Sequence, residues 1–190
     1  MLISNLVPAL PEIFLALVIM VLLMFGVLKK TPDISHDNKV SRMTAWLTIM
    51  SLVLALFMVI NSSGSVSTTF NDMFISDSFS IYIKVLILIG AIATLIIAQG
   101  FLERNRLAQF EYSILIVFAL LGMMMMLSAN DLISMYLGLE MQSLSLYILA
   151  SFSRDDNQSV EAGLKYFVLG ALASGMILFG ASLLYGLSGS

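Results

Sequence analysis

Two ionisable residues, Glu140 and Lys165, stand inside long apolar segments of the chain. A charge in the hydrocarbon core of a bilayer costs about 2.5 to 3.5 kcal/mol on insertion scales. Stability therefore does not explain why the chain carries them, and such residues are typical of sites that move or bind ions. Both fall within residues 130–170, where two apolar segments are joined by one short polar loop. A short loop predicts that the two helices are antiparallel neighbours.

Glu140 lies in the middle of the predicted fifth span, about ten residues or roughly 15 Å from one end of the helix. Helical spacing places Tyr136, Ser143 and Tyr147 on the same face as Glu140. Burial favours the neutral form of a carboxyl group, whereas a nearby cation favours the charged form. Glu140 is therefore a candidate proton carrier with a supporting polar stripe. The alternative is a protonated acid that makes only a structural hydrogen bond between helices.

Lys165 is the candidate cation. It lies about six to nine residues into the predicted sixth span, roughly 9 to 13 Å deep from the same side of the membrane. Its long side chain is able to extend toward Glu140, and an ion pair that forms and breaks would couple the protonation of its two members. The alternative is that Lys165 snorkels to the nearer interface. Snorkelling is the favoured interpretation for Lys84, which lies close to one end of the predicted third span.

The composition indicates an integral membrane protein. Of the 190 residues, 59% are hydrophobic and only 11% are charged, whereas a soluble domain is about half apolar and a quarter charged. The net charge of -3 and the lack of a basic run argue against a nucleic-acid partner. The absence of Cys excludes disulfides and cysteine-ligated iron–sulfur or zinc sites in this chain. The single histidine, His36, is expected in a polar loop.

Six apolar runs have the length of membrane spans, which predicts an all-α, polytopic helix bundle in a single membrane domain covering 1–190. The predicted spans cover about 10–28, 43–60, 79–100, 112–128, 131–150 and 160–187. The positive residues outside these spans occur only in alternate connections. By the positive-inside rule, the N-terminus and the C-terminal end are both expected on the outer side. The residues that carry this argument are Lys29, Lys30, Lys39, Arg42, Arg104, Arg106 and Arg154.

Several acidic residues are predicted to support helices rather than chemistry. Glu12, Asp131 and Glu161 are expected at helix starts, where a negative charge complements the helix dipole. The polar stretch 61–72, which follows the second span, is expected to be a flexible connection.

The run from Met123 to Met126 raises the question of a copper path. Four consecutive positions spread around a helix instead of converging, so the run indicates packing or lipid contact, and no metal site is predicted. In the sixth span, Gly170 and Ser174 form one pair of small residues four apart, and Ala171 and Gly175 form another. Such pairs allow close helix contacts, although the sequence does not identify the partner helix.

The segments LGLEMQSLSLY of the fifth span and EAGLKYFVLGALASG of the sixth resemble the proton-translocating, antiporter-like membrane subunits of respiratory complex I. The first 109 residues match more loosely, through LVPALPEI and the order of the spans. In this family the glutamate of the fifth helix is a central proton-path residue, and that position is Glu140 here. The lysine of the sixth-helix motif falls on Lys165.

The resemblance implies a membrane-arm subunit of NADH:quinone oxidoreductase that takes part in redox-coupled proton translocation in an energy-transducing inner membrane. NADH, FMN, iron–sulfur clusters and quinone are then expected in other subunits, with no cofactor in this chain. Other membrane-arm subunits are the expected partners, together with a further segment or second chain that supplies the seventh helix onward. The alternatives are a subunit of a cation/proton antiporter or membrane-bound hydrogenase, and a scaffold or assembly fragment without its own proton path.

Overall fold

The apolar runs form six long helices in a computed structural model that describes residues 7–29, 34–62, 67–105, 107 and 109–188, with the backbone alone at 34–38 and 188. Each helix is long and apolar enough to cross a membrane, which confirms the predicted all-α fold and the six spans. Lys30 and Arg106, two of the charges used to predict orientation, lie outside the described residues. The helices are α1 (Leu10–Lys29), α2 (Ile34–Asn61), α3 (Ser78–Arg104), α4 (Phe110–Ser128), α5 (Leu132–Ala150) and α6 (Asn157–Ser188).

The second helix is longer than its apolar run. It begins at Ile34, so His36 lies in a helical backbone and not in the predicted loop. Only the part from Lys39 to Asn61 has the hydropathy of a membrane span. Hydropathy therefore marked the membrane-crossing part of this helix, and the residues before Lys39 belong to the same helix.

Part of the connection predicted to be flexible is a small β-hairpin. Strands β1 (Ser67–Thr69) and β2 (Phe74–Ser76) pair in antiparallel fashion. The turn between them holds Phe70, Asn71 and Asp72 at φ values of 54°, 55° and 65°. These left-handed values are uncommon for residues other than glycine.

The hairpin is held by the connection between α4 and α5. Asn130 donates its backbone N–H to the Met73 carbonyl at 3.0 Å and its side-chain Nδ2 to the Asp72 carbonyl at 2.7 Å. Phe74 also forms an isolated β-bridge with Ala129. The starts of α1, α3 and α5 and the ends of α2 and α4 thus meet at one end of the bundle, which we call the hairpin end.

The contact between Asn130 and the hairpin is testable. Replacing Asn130 with Ala removes the bond to Asp72 but keeps the backbone donor, so the hairpin should lose about 1 kcal/mol of local stability. Faster hydrogen exchange in residues 67–76 would show this loss. Asn105→Ala is the matched control, because Asn105 Nδ2 donates a local bond to the Phe101 carbonyl at the end of α3. Unchanged exchange at the hairpin would mean that the backbone bond from Asn130 and the β-bridge at Ala129 hold it without the side-chain bond.

Helix α4 is the centre of the bundle and packs against α1, α2, α3 and α5. Its contact with α5 is a direct approach of two backbones. A Cβ added at Gly122 would lie 2.6 Å from the Gln142 nitrogen, and one added at Gly138 would lie 2.8 Å from the Met126 nitrogen. Helix α6 packs on α5 and leaves most of its own surface exposed.

Candidate functional site

Glu140 lies where α5 meets α6. The Ser174 hydroxyl on α6 donates a hydrogen bond to Glu140 Oε1, and the Tyr136 hydroxyl lies 2.9 Å from the same Ser174 oxygen. Ser174 is only 8% exposed, while Glu140 and Tyr136 are half-buried. Since Ser174 donates its proton to Glu140, Tyr136 is left to donate to Ser174. The three groups form a hydrogen-bonded row in which both donors point toward the carboxylate.

This row depends on the small residues of α6. Ser174 reaches α5 because its helix approaches closely, and one turn earlier Gly170 lies directly under the Tyr147 hydroxyl, where a Cβ would collide. The pair Gly170 and Ser174 therefore meets α5, the partner that the sequence did not identify. At Gly175 of the second pair, an added Cβ would meet no atom within 4 Å.

The predicted polar stripe divides into different environments. Tyr136 belongs to the Glu140 row through Ser174. Tyr147 is buried and packs edge-on against the rings of Tyr166 and Phe167, at centroid distances of 4.7 and 5.7 Å. Ser143 is half-buried, and within the described part of the chain no hydrogen bond joins it to Glu140.

Lys165 makes its ion pair within α6. Its Nζ lies 2.5 Å from Glu161 Oε1, one turn earlier, and both side chains are about two-thirds exposed. Among the ion pairs of the described residues, none joins Lys165 to Glu140. The expectation that Glu161 sits at the helix start was wrong, because α6 begins at Asn157. Asp131 is at a helix start as predicted, where its side chain accepts hydrogen bonds from the Ile133 and Ser134 amides.

A buried ion pair at the hairpin end was missed. Lys84 was expected to snorkel, but it is 3% exposed, and its Nζ lies 2.5 Å from Glu12 Oε1. Glu12, expected only to complement a helix dipole, is 6% exposed. Lys84 also donates to Ser128 Oγ at 2.5 Å, and its Nζ lies 5.2 Å from the centre of the Phe74 ring. The sequence signal was the placement of opposite charges near the same predicted ends of two spans.

The described residues contain no cluster of side chains suited to bind a metal ion. Among the residues that the structure describes, no group of three His, Asp or Glu side chains is placed to hold an ion. In the methionine run, Met124 is fully buried in the core, and Met123 and Met125 pack against that core.

Comparison with known proteins gives consistent results for both halves of the chain. Residues 129–190 match the family model described as NADH:quinone oxidoreductase/Mrp antiporter, TM. The NADH-quinone oxidoreductase subunit N of Parvibaculum lavamentivorans is 51% identical over 96% of this chain. The match includes 36% of that relative, so the chain spans little more than a third of its length.

Solved structures show the same arrangement of helices. A chain of respiratory complex I from Thermus thermophilus with bound aureothin superimposes with a TM-score of 0.76 and 32% identity, over 95% of this chain and 37% of that one. The membrane-bound sulfane sulfur reductase, an archaeal respiratory membrane complex, shares the fold with a TM-score of 0.60. That match has 19% identity and covers 98% of this chain and 38% of the other, so it carries no functional inference.

Proposed function

We propose that this chain takes part in redox-coupled proton translocation in the membrane arm of NADH-quinone oxidoreductase. The premise is that the chain belongs with the N-terminal part of the antiporter-like subunit N of that complex. The observation that carries the proposal is the Glu140 row. An acid in the middle of a membrane-spanning helix accepts a hydrogen bond from Ser174 on a second helix, and the Tyr136 hydroxyl of its own helix bonds to the same serine. A multi-pass location in an energy-transducing inner membrane follows from the six helices and the similarity.

The row supports proton transfer because the carboxyl group and both hydroxyl groups can each accept and donate a hydrogen bond. When Glu140 is ionised, Ser174 and Tyr136 donate toward it. When Glu140 takes up a proton, the carboxyl group itself becomes a donor, and the two hydroxyls can rotate to reverse the row. Protonation of one half-buried group then changes the direction of hydrogen bonds between α5 and α6. We propose Glu140 as the titrating acid and Ser174 and Tyr136 as its relay.

Lys165 is proposed as the modulating cation. In the described chain its charge is satisfied by Glu161 at the surface of α6. Exchange of its partner, from Glu161 to Glu140 or to an acid on a further helix, would change the field at the α5–α6 contact. The exposed surface of α6 is consistent with such helices, since the chain covers only 36% of its relative. A segment or second chain that begins at the seventh helix is part of the proposal.

The redox reaction itself is assigned to other subunits. We propose that NADH, FMN, iron–sulfur clusters and quinone bind elsewhere in the complex, and that the partners of this chain are other membrane-arm subunits. The charge asymmetry of the bundle gives the proposed orientation. The described Lys29, Lys39, Arg42, Arg104 and Arg154 lie at the end opposite the hairpin. The positive-inside rule puts that end inside and the hairpin end outside.

The test is Glu140→Gln in the complete oxidoreductase, reconstituted in proteoliposomes. Gln keeps the size of the side chain and can accept the Ser174 hydrogen bond, but it cannot take up a proton. We expect the rate of proton pumping per assembled complex to fall about tenfold or more, since positioned acid–base groups typically contribute 10²- to 10⁴-fold. Pumping is measured as acidification of the vesicle interior during NADH oxidation.

Asp155→Asn is the matched control, because it removes one carboxylate from an exposed loop position. It should leave pumping unchanged. Normal pumping in an assembled Glu140→Gln complex would rule out Glu140 as a carrier. Loss of assembly without a pumping defect in the remaining complex would instead favour the structural hydrogen bond.

The alternatives differ in their partners. The family model covers both oxidoreductase and antiporter subunits, so residues 129–190 alone do not separate them. Copurification with NADH-oxidising and iron–sulfur subunits would support the oxidoreductase, whereas a set of small antiporter subunits would support a cation/proton antiporter. A scaffold without a proton path predicts that Glu140→Gln has no effect on pumping.

A further inference from the structure

The pair Glu12 and Lys84 places two opposite charges in a buried site that the Glu140 row does not use. Both side chains are more than nine-tenths buried. Taking both charges out of water is costly, and apolar residues of similar volume would hold the helices equally well or better. Helix packing alone therefore does not require this pair. Intramembrane charges that pair with one another are typical of proton pathways.

Lys84 lies about two helical turns from Asp77, which precedes α3 at the hairpin end. Ser80 and Asp77 precede it by one and two turns on the same side of α3. The Ser80 amide donates to Asp77 Oδ1 at 2.8 Å, and the Ser80 hydroxyl donates to the Asp77 carbonyl at 2.9 Å. The pKa of Asp77 is lowered, mainly by the bond from the Ser80 amide and to a smaller extent by the charge of Lys84. The carboxylate of Asp77 is thus within electrostatic reach of the buried ammonium.

Glu12 borders a cavity of about 360 Å³ between α1, the hairpin, α4 and the start of α5. Among the described residues that line the cavity, Glu12 is the only charged one and Ser134 is a second polar one. Its Oε2 has no hydrogen-bond partner within the described part of the chain. The cavity is larger than the volume of about 30 Å³ that one water molecule occupies in the liquid.

We propose that Glu12 and Lys84 form a second proton-transfer site, which passes protons between the cavity beside Glu12 and the surface at Asp77. This inference rests on the proposed function, because it adds a site at the hairpin end to the same translocation. Ser128 positions the ammonium group through its hydrogen bond to Lys84.

The transfer balances one proton taken up against one released. In the resting site, Glu12 is a carboxylate and Lys84 an ammonium. A proton that arrives through the cavity binds Glu12 and leaves the Lys84 charge buried without a counter-ion, which favours its loss. Lys84 releases one proton toward water at Asp77. The proton on Glu12 then moves to the neutral Lys84 amine and restores the resting pair.

Lys84→Arg separates this role from a structural one. Arginine keeps the positive charge and the ion pair with Glu12, but it does not release its proton in proteins. The complete oxidoreductase that contains the full-length chain is reconstituted in proteoliposomes. NADH oxidation and interior acidification are then measured per assembled complex. We expect proton pumping to fall about tenfold or more relative to wild type. Lys39→Arg, at an exposed position of α2, is the control and should pump normally.

Normal pumping by the assembled Lys84→Arg complex would overturn the inference and leave the pair as a clamp between helices. If this variant does not assemble, the neutral double variant Glu12→Gln/Lys84→Met decides. Pumping at the wild-type rate by the double variant overturns the inference, and a loss supports it. Glu140→Gln, measured in parallel, separates the two proposals. A defect in Glu140→Gln alone rejects only this second site, whereas normal pumping in both variants rejects the proposed function as well.

Discussion

Lys84→Met is expected to destabilise the chain by about 3 to 5 kcal/mol, because it leaves the Glu12 carboxylate buried without its partner. Glu12 is 6% exposed, so water does not replace the lost ammonium. The loss of the Ser128 hydrogen bond adds to the effect. The measurement is the midpoint of SDS-induced unfolding in mixed detergent micelles, followed by circular dichroism.

The double variant Glu12→Gln/Lys84→Met is the decisive comparison. It removes both charges and should recover most of the lost stability, since replacing a buried pair by neutral groups of similar volume is often close to neutral. The effects of the single variants Glu12→Gln and Lys84→Met on stability are therefore expected to be strongly non-additive. Additive losses would show that the two side chains do not interact in the folded chain. Lys39→Met controls for loss of a lysine at an exposed position of α2.

The six helices were predictable because their signal is local. A run of apolar residues of sufficient length identifies a span without knowledge of its neighbours, and the helix start at Asp131 follows from its side chain and two adjacent amides. The start of α2 was not predictable in this way. The polar residues from Ile34 onward are compatible with both a helix and a loop, and hydropathy does not distinguish them.

The Glu140 site was predictable in part. The glutamate and Tyr136 follow from spacing on one helix, but their link is Ser174, 34 residues after Glu140 on another helix. The small-residue pattern of α6 predicted a close contact and not its partner. The ion pair of Glu161 with Lys165 has a local signal in the sequence, because an acid four residues before a lysine predicts an ion pair on one helix face.

The Glu12–Lys84 pair could not be predicted from sequence patterns. Its members lie on the first and third spans, and each alone fits a common structural role near a helix terminus. Only the arrangement of α1, α3 and α4 brings Glu12, Lys84 and Ser128 together under the hairpin. Neither hydropathy nor helical periodicity specifies which helices are neighbours in a bundle.

The same arrangement makes the contact between α4 and α5 sensitive to a single methyl group. A Cβ at Gly138 would lie 2.8 Å from the Met126 nitrogen and 2.9 Å from the Gly122 carbonyl oxygen, both of which are backbone atoms. Gly138→Ala should therefore separate the helices and destabilise the chain by about 1 to 3 kcal/mol. Because α5 carries Glu140, its displacement should also reduce proton pumping in the complete complex.

Gly90→Ala is the matched control for Gly138→Ala. Gly90 lies within α3 and has no atom within 4 Å of an added Cβ, so alanine there should be neutral or slightly stabilising because of its higher helix propensity. Opposite shifts in the SDS midpoint for the two variants would show that the effect comes from the close contact and not from the loss of glycine. Equal shifts would show that α4 and α5 separate without cost and that their close approach does not contribute to stability.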